Sequence, residues 1–397
     1  MTTPRVILQP RRARPFYGRH PWVYPGAIAS VEGDPADGAE VDLVSHTGNF
    51  IARGLYNSRS KLRVRLYSWD AGAALDRDFF RDRLAAAVRL RHQILGLDSP
   101  TGACRLVFSE GDGLSGLTVD RYGRWLAVQF TSLGLAQRRD MLAELLRELV
   151  EPEGIYLRTE RGIGRLEGLE LQDGPLLGTP PQGPILIEED ALTFLVNLAE
   201  GQKTGYYLDQ RDNRRAVARL AGGRRVLDAF CYAGGFGLHA ARAGAREVLG
   251  VDSSEAALEL ARANADRNGL ADRVRFLKAE VFDQLDRLAG GGERFGLVVL
   301  DPPKFARSQG AVEEALRGYR RLQTLALQLL EPDGLLVTCC CSGLITADML
   351  VELLAQLAAE AKRDVQILER RGQASDHPVA VTCPESNYLK CLICRVR

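Results

Sequence analysis

The chain is short of net charge. Across 397 residues, 52 Lys and Arg stand against 51 Asp and Glu, leaving +1, so the total does not announce a nucleic-acid binder. Long hydrophobic runs are missing too. The longest uncharged apolar stretch, residues 334–347, is too short to span a bilayer, which takes roughly 20 residues. The first residues hold no apolar core of signal-peptide length, and Arg11, Arg12 and Arg14 interrupt them early. A cytoplasmic protein with no membrane partner is expected. The eight cysteines follow no disulfide-framework spacing, which suits a reducing compartment. Cys391-x-x-Cys394 has no second ligand pair and falls in an apparent strand, where positions three apart face opposite sides. No metal is expected.

What is present is organised around residues 224–237, RRVLDAFCYAGGFG. A short apolar strand ends at Asp228, glycines 234, 235 and 237 make a tight loop, and a helix starts near Leu238. Gly235-x-Gly237-x-x-Ala240 satisfies the dinucleotide pattern formally. A carboxylate at the strand end, however, repels a pyrophosphate and favours the ammonium and sulfonium of S-adenosylmethionine. Strand–helix alternation continues from there, with strands at 226–228, 247–252, 274–279, 297–301 and 334–340. Helices are expected at 256–268, 281–288 and 311–330, and 365–369 with 388–396 as a closing antiparallel pair. Ligands of such sheets bind beyond the carboxyl ends of the strands. Asp228, Asp252, Asp301 and the group 339–342 all sit there.

Upstream, residues 1–72 read as a small β-barrel, with strands at 41–44, 50–52 and 62–66. Residues 1–69 hold ten basic residues against five acidic ones, and local charge attracts phosphate where the total does not. Arg19, His20 and Trp22 interleave base and aromatic, which suits stacking on a nucleic-acid strand; Trp22 alone reads better as barrel packing. Residues 73–184 read as a central α+β module, opened by an amphipathic helix over 76–95 with Phe80, Leu84, Val88 and the stem of Arg91 on one face. The Gly/Pro-rich 174–184 closes it, and 185–397 is the Rossmann-like domain.

Several residues can carry chemistry. Asp252, followed by Ser253, suits a ribose diol and also caps the next helix. Glu280 can reach the adenine amino group, with Val281 or Phe282 covering the ring. Ala229, Phe230 and Gly234 belong to the cofactor loop. In the polar stretch 201–214, Arg211 can pair the donor's carboxylate, Tyr207 and Leu208 fall beside it on the cofactor side, and Lys203 on the substrate side. Asp301-Pro302-Pro303-Lys304-Phe305 gives strand four a rigid exit, holding Asp301 where it can meet a base edge. Cys339 and Cys340 read as small buried hydrophobes, but Cys341 lies at the strand end, where a thiol can be a nucleophile. Thiolate attack on carbon-6 of a cytosine makes carbon-5 able to take a methyl group from a sulfonium, with Asp301 assisting at the base edge.

Taken jointly, HPWVY with GLYN at 54–57, EGDGLSGLTVDRY at 110–122, GQKTGYYLDQRDNR at 201–214, VLDAFCYAGGFG, DPPKF and CCSG at 340–343 resemble a known family. It is that of class I S-adenosylmethionine-dependent RNA methyltransferases similar to ribosomal RNA large subunit methyltransferase I. The resemblance implies a PUA RNA-binding domain, a central α+β domain and a Rossmann-like catalytic domain, commonly in a homodimer. It further implies 5-methylcytosine formation in 23S ribosomal RNA, naked or in an assembling large subunit, with Cys341 catalytic. Two positions depart from the pattern: Lys304 stands where many RNA cytosine-5 enzymes carry a second cysteine, and Glu280 where relatives often have Asp. Three other readings remain at this point. They are methylation of an exocyclic nitrogen on RNA, a non-catalytic RNA-binding assembly factor, and, least favoured, an NAD oxidoreductase.

Overall fold

The computed structural model describes residues 3–199, 201, 204–306 and 309–397. The chain forms two compact units. The first comprises Met1–Ile187, Val196–Leu208 and Ser375–Ser386; the second comprises Glu188–Leu195, Asp209–Ala374 and Asn387–Arg397.

The first unit opens with β1 (Arg5–Leu8), β2 (Trp22–Val23), β3 (Ile28–Glu32), β4 (Glu40–Val44), β5 (Phe50–Tyr56) and β6 (Val64–Ser68). They make one six-stranded sheet in the order β2-β6-β5-β4-β1-β3. Alternating side chains of β1, β4 and β6 (Val6, Leu8, Val41, Leu43, Val64 and Leu66) fill its core. The sequence shows β4, β5 and β6 but not the other three. β2 has only two residues and β3 is almost wholly exposed, so neither carries a burial period to read. A second sheet, order β11-β10-β9-β8-β7, combines β7 (Ala103–Phe108), β8 (Leu117–Tyr122), β9 (Trp125–Phe130), β10 (Gly154–Arg158) and β11 (Gly174–Gly178). The helices Arg77–Arg89 and Arg139–Val150 pack on it through Phe80, Leu84, Leu142, Leu145 and Leu146. Asp76 caps the first helix by accepting from the Phe79 amide.

That helix ends at Arg89 in a π turn, Leu90–Ile94. Arg91 does not merely lay its stem on the core; its guanidinium is wholly buried. It pairs with Asp112 at 2.6 Å and donates to the Asp376 carbonyl at 2.7 Å. A buried cation is tolerable only with partners of this kind, and they come from residues far away in sequence.

The strands β12 (Ile185–Glu189) and β13 (Leu192–Val196) form a two-stranded sheet. Its turn places Asp190 and Ala191 at φ of 52° and 62°, a left-handed conformation that Gly or Asn would have signalled.

The second unit is a seven-stranded sheet. β14 (Arg225–Ala229), β15 (Glu247–Asp252), β16 (Val274–Lys278), β17 (Phe295–Leu300) and β18 (Leu330–Cys340) are joined by β19 (Val365–Arg371) and β20 (Lys390–Val396). The order is β16-β15-β14-β17-β18-β20-β19. The first five are parallel, and β20 slots antiparallel between β18 and β19. A dinucleotide fold continues with a further parallel strand after the fifth; the inserted antiparallel strand departs from it. Strand four is buried along its whole length, as a central parallel strand must be. The helix Ala347–Ala361, capped by Thr346, is absent from the sequence reading. The apolar run 334–347 passes into it with no proline and no glycine after Gly343, so no boundary is visible. No helix among the described residues is long and apolar enough to cross a membrane.

Candidate active site

The sheet brings three carboxylates to the carboxyl ends of neighbouring strands. Asp228 lies next to last in β14, Asp252 ends β15, and Asp301 follows β17. Asp228 is fully buried. Its Oδ2 accepts the Gly237 amide at 2.8 Å, and its Oδ1 has no hydrogen-bond partner. Burial pushes its carboxyl up to about 7, against the pull of the Gly237 hydrogen bond and with help from Asp301 and Asp252. A Cβ at position 237 would stand 3.1 Å from that Oδ2 and 3.0 Å from Val248, so glycine there lets the loop close on the acid. Gly234 has φ +82, and a Cβ there would press on Phe276 at 3.0 Å. The helix starts at Gly235, three residues before the expected start, with its first turn made of the glycine loop itself.

Two more residues of this loop, Phe230 and Tyr232, take positive φ of 63° and 49°, conformations that cost roughly 1–3 kcal/mol each and persist only when held. Asp252 is one of the holders. Its Oδ2 accepts the Tyr232 amide and its Oδ1 the Ser254 amide, both at 2.9 Å. The carboxylate expected to face a ribose therefore also fixes the loop, with lone pairs to spare on both oxygens. Ser253, beside it, is exposed. Ala229 is buried in the strand. Glu280 is exposed, just before the helix Val281–Gly290; Val281 is buried and Phe282 half-buried.

Asp301 is half-buried, and the register pairing Leu300 with Thr338 sets it beside Cys339. Its Oδ1 accepts from Gln210 Nε2 at 3.0 Å. Gln210 is in turn oriented by Asn213 (2.7 Å), and Asn213 by Arg371 (2.9 Å) and the Gly372 carbonyl. This relay was not legible. Its links to Asp301 and Arg371 span 91 and 158 residues, and the polar stretch 201–214 gives no sign of which side chain turns inward.

Cys341 is the first residue beyond β18 and is partly exposed, whereas Cys339 and Cys340 are buried. Ser342 donates from its buried hydroxyl to the Ala306 carbonyl at 3.1 Å, tying the end of strand five to the exit of strand four. Lys390 is a second residue that the sequence did not flag. Its ammonium donates to the Ser342 and Tyr388 carbonyls at 2.6 and 3.2 Å. Burial holds it below its ordinary value, while the nearby Cys340 and Cys341 sulfurs pull it back up. Along the exit, Pro302 is buried, Pro303 and Lys304 are exposed, and Phe305 packs at 5.2 Å against Tyr319.

Arg211 is buried, 4.0 Å from Glu189, which is held bidentately by Arg214 at 2.7 and 2.8 Å. Burial would raise the Glu189 carboxyl, but these guanidinium groups and His239 hold it below its usual range. Tyr207, half-buried, and Leu208, buried, belong to the first unit. Lys203 lies outside the described residues. In the first unit, Trp22 is half-buried and spends its indole N–H on Glu110 (2.9 Å) and Ser115 (3.3 Å). His20 faces Glu385 at 3.3 Å, and Arg19 is exposed at φ 64°.

Comparison with known proteins supplies the context. The S-adenosylmethionine-dependent methyltransferase family profile matches residues 175–393, and a PUA-like domain profile matches 6–69. The chain is 41% identical to the ribosomal RNA large subunit methyltransferase I of Aeromonas salmonicida over 99% of both chains. It is 42% identical to that of Erwinia tasmaniensis over 99% of this chain and 100% of the other. The chain belongs to the ribosomal RNA large subunit methyltransferase I family. A solved methyltransferase structure holding SAH superposes with a TM-score of 0.86, at 22% identity, covering 98% of this chain and 99% of that one. It shares the fold.

S-adenosylmethionine is the cofactor of this family, and the residues present fit it. Three carboxylates that repel one another at the strand ends, one with a buried unpaired oxygen, are stabilised by a cation. They are destabilised by a pyrophosphate.

Proposed function

We propose that this chain methylates carbon-5 of a cytosine in 23S ribosomal RNA, with Cys341 as the nucleophile and Asp301 at the base edge. The observation that carries the reading is the exit of strands four and five. A partly exposed thiol follows two buried ones, beside a carboxylate oriented by Gln210. When bound, S-adenosylmethionine supplies an electrophilic methyl group on a sulfonium. Cys341 adds as a thiolate to carbon-6, which makes carbon-5 nucleophilic; loss of the carbon-5 proton after methylation expels the thiolate. Asp301 accepts from the exocyclic amine or holds a proton near ring nitrogen 3. Lys390 adds a positive charge near the thiolate, which favours its ionised form. Asp228, Asp252 with Ser253, Ala229, Phe230, Gly234, Glu280, Val281 and Arg211 serve the donor. Lys203, Pro302, Pro303, Lys304 and Phe305 serve the RNA. In this reading residues 1–72 bind RNA, 73–184 form a central module and 185–397 perform the chemistry.

The names carried by the relatives support ribosomal RNA as the substrate, and the PUA-like segment supports RNA contact. The test is to incubate the protein with isotopically labelled donor and unmodified ribosomal RNA, then identify the labelled nucleoside by mass spectrometry. 5-Methylcytidine is expected. Label on an exocyclic nitrogen would overturn the carbon-5 reading.

A further inference from the structure

The first unit holds a cavity of about 440 Å³, walled by Arg19, Leu66, Trp69, Arg83, the turn Glu110–Gly113 and Val381. Two carboxylates line it, and both are committed. Glu110 Oε1 accepts from Trp22 and from Ser115 (2.6 Å), with Arg65 at 3.6 Å. Asp112 pairs with the buried Arg91 through Oδ1 and accepts the Phe108 amide at 2.6 Å through Oδ2.

The two guanidinium groups are not so matched. Among the described residues neither Arg19 nor Arg83 has an ion-pair partner; Arg83 reaches the Tyr67 carbonyl at 3.3 Å and the Phe79 ring. Burial, and then the charge of Arg19, hold Arg83 below its ordinary value, with no acid acting the other way. The glycine turn is shaped around it. Gly113 has φ +68, and a Cβ there would lie 3.2 Å from Arg83 Nη1. Two uncompensated guanidiniums lining one cavity repel one another, and an anion relieves that repulsion. Beside them, half-buried Trp69 and Val381, 93% exposed at the rim, offer apolar surface.

We infer that this cavity takes a phosphate of single-stranded RNA between Arg19 and Arg83, with the neighbouring nucleotide against Trp69 and Val381. Fork-shaped donors suit phosphate oxygens, and apolar and aromatic surface suits the base. The inference rests on the proposed RNA substrate and moves the contact. Trp22 and His20 hold the cavity's surroundings together, while Arg19 and Arg83 meet the strand.

The test measures binding of a labelled single-stranded oligoribonucleotide to the full chain across a salt series. Arg19→Ala with Arg83→Ala should weaken binding about tenfold at 0.1 M salt and flatten the slope of log affinity against log salt by about 0.7, the value for one lost phosphate contact on a single strand. Arg83→Lys with Arg19→Lys keeps both charges and should keep most of the slope, which separates lost contacts from lost folding. Arg77→Ala, on the same helix but paired with Glu148 at 2.6 Å, should leave the slope unchanged. An equal loss from Arg77→Ala, or none from the double alanine variant, overturns the inference. So does inorganic phosphate competing as well as the strand, which would make this a free-anion site. Failure of the proposed chemistry reads out separately, as wild-type protein that binds RNA with the full salt slope yet transfers no methyl group.

Discussion

At the ends of β14, β15 and β17 the second unit gathers Asp228, Asp252 and Asp301, and ionising the most buried of them costs energy. In the first unit's cavity the balance is reversed: Glu110 and Asp112 are spent on internal partners, and Arg19 and Arg83 remain. One unit accumulates negative charge where a cationic donor is to bind. The other leaves positive charge in a cavity suited to a polyanion. A chain with a net charge of +1 thus carries two unbalanced sites, and their difference says more about its ligands than the total does. Each side of the contrast can be broken separately.

The largest effect belongs to Cys341, the proposed nucleophile. Cys341→Ala should lower methyl transfer to RNA by about 10⁴-fold or more, roughly 5 kcal/mol of barrier, while donor affinity measured by calorimetry stays within about twofold. Turnover preserved in that variant would remove the covalent mechanism and leave the donor site standing.

Asp228 is next. Its carboxyl is raised to about 7 in the folded protein, against roughly 4 when unfolded. A raised carboxyl means that the folded state holds the proton more tightly. The associated stability is complete below pH 4 and is lost as pH climbs through 7. The donor-free protein should therefore lose thermal stability between about pH 4 and 7, and Asp228→Asn should abolish that dependence. A cationic donor favours the ionised form, so wild-type donor affinity should rise between pH 6 and 8 with a proton released on binding. The variant's affinity should be 10- to 100-fold lower at pH 8, about 1.4–2.7 kcal/mol. Calorimetry in buffers of different ionisation enthalpy checks the proton count, and a pH-independent affinity would contradict the arrangement.

Most of the donor side was readable because its chemistry is local. A parallel strand, a glycine loop and a helix are contiguous, and each later strand ends in a polar residue after an apolar run, so Asp252, Asp301 and Cys341 stand out from their neighbours alone. What stayed hidden depends on tertiary pairing. The burial of the Arg91 guanidinium was not visible because its partner Asp112 lies 21 residues on and the Asp376 carbonyl 285 residues on. Arg83 sits on a helix whose pattern says only which face is apolar, and nothing in it marks a charge without a partner. The motif at 110–116 is conspicuous in the sequence, yet its use, a glycine turn that spends one acid on Trp22 and gives room to Arg83, exists only once the strands around it have paired.

The smallest predicted effect tests whether Asp301 is held in place or merely present. Gln210 donates to its Oδ1, and the chain of amides runs back through Asn213 to Arg371. Gln210→Ala removes a donor that orients the carboxylate, so single-turnover methylation should slow about tenfold. Arg371→Ala acts two links further away, and its Glu369 partner at 2.6 Å is also released, so about threefold is expected. Neither change touches the donor carboxylates Asp228 and Asp252, so donor affinity should hold in both. A loss of donor binding equal to the loss of rate would mean that the relay supports the cofactor loop, and Asp301 would then belong with Asp228 and Asp252 as a third counter-charge and not with Cys341 at the base.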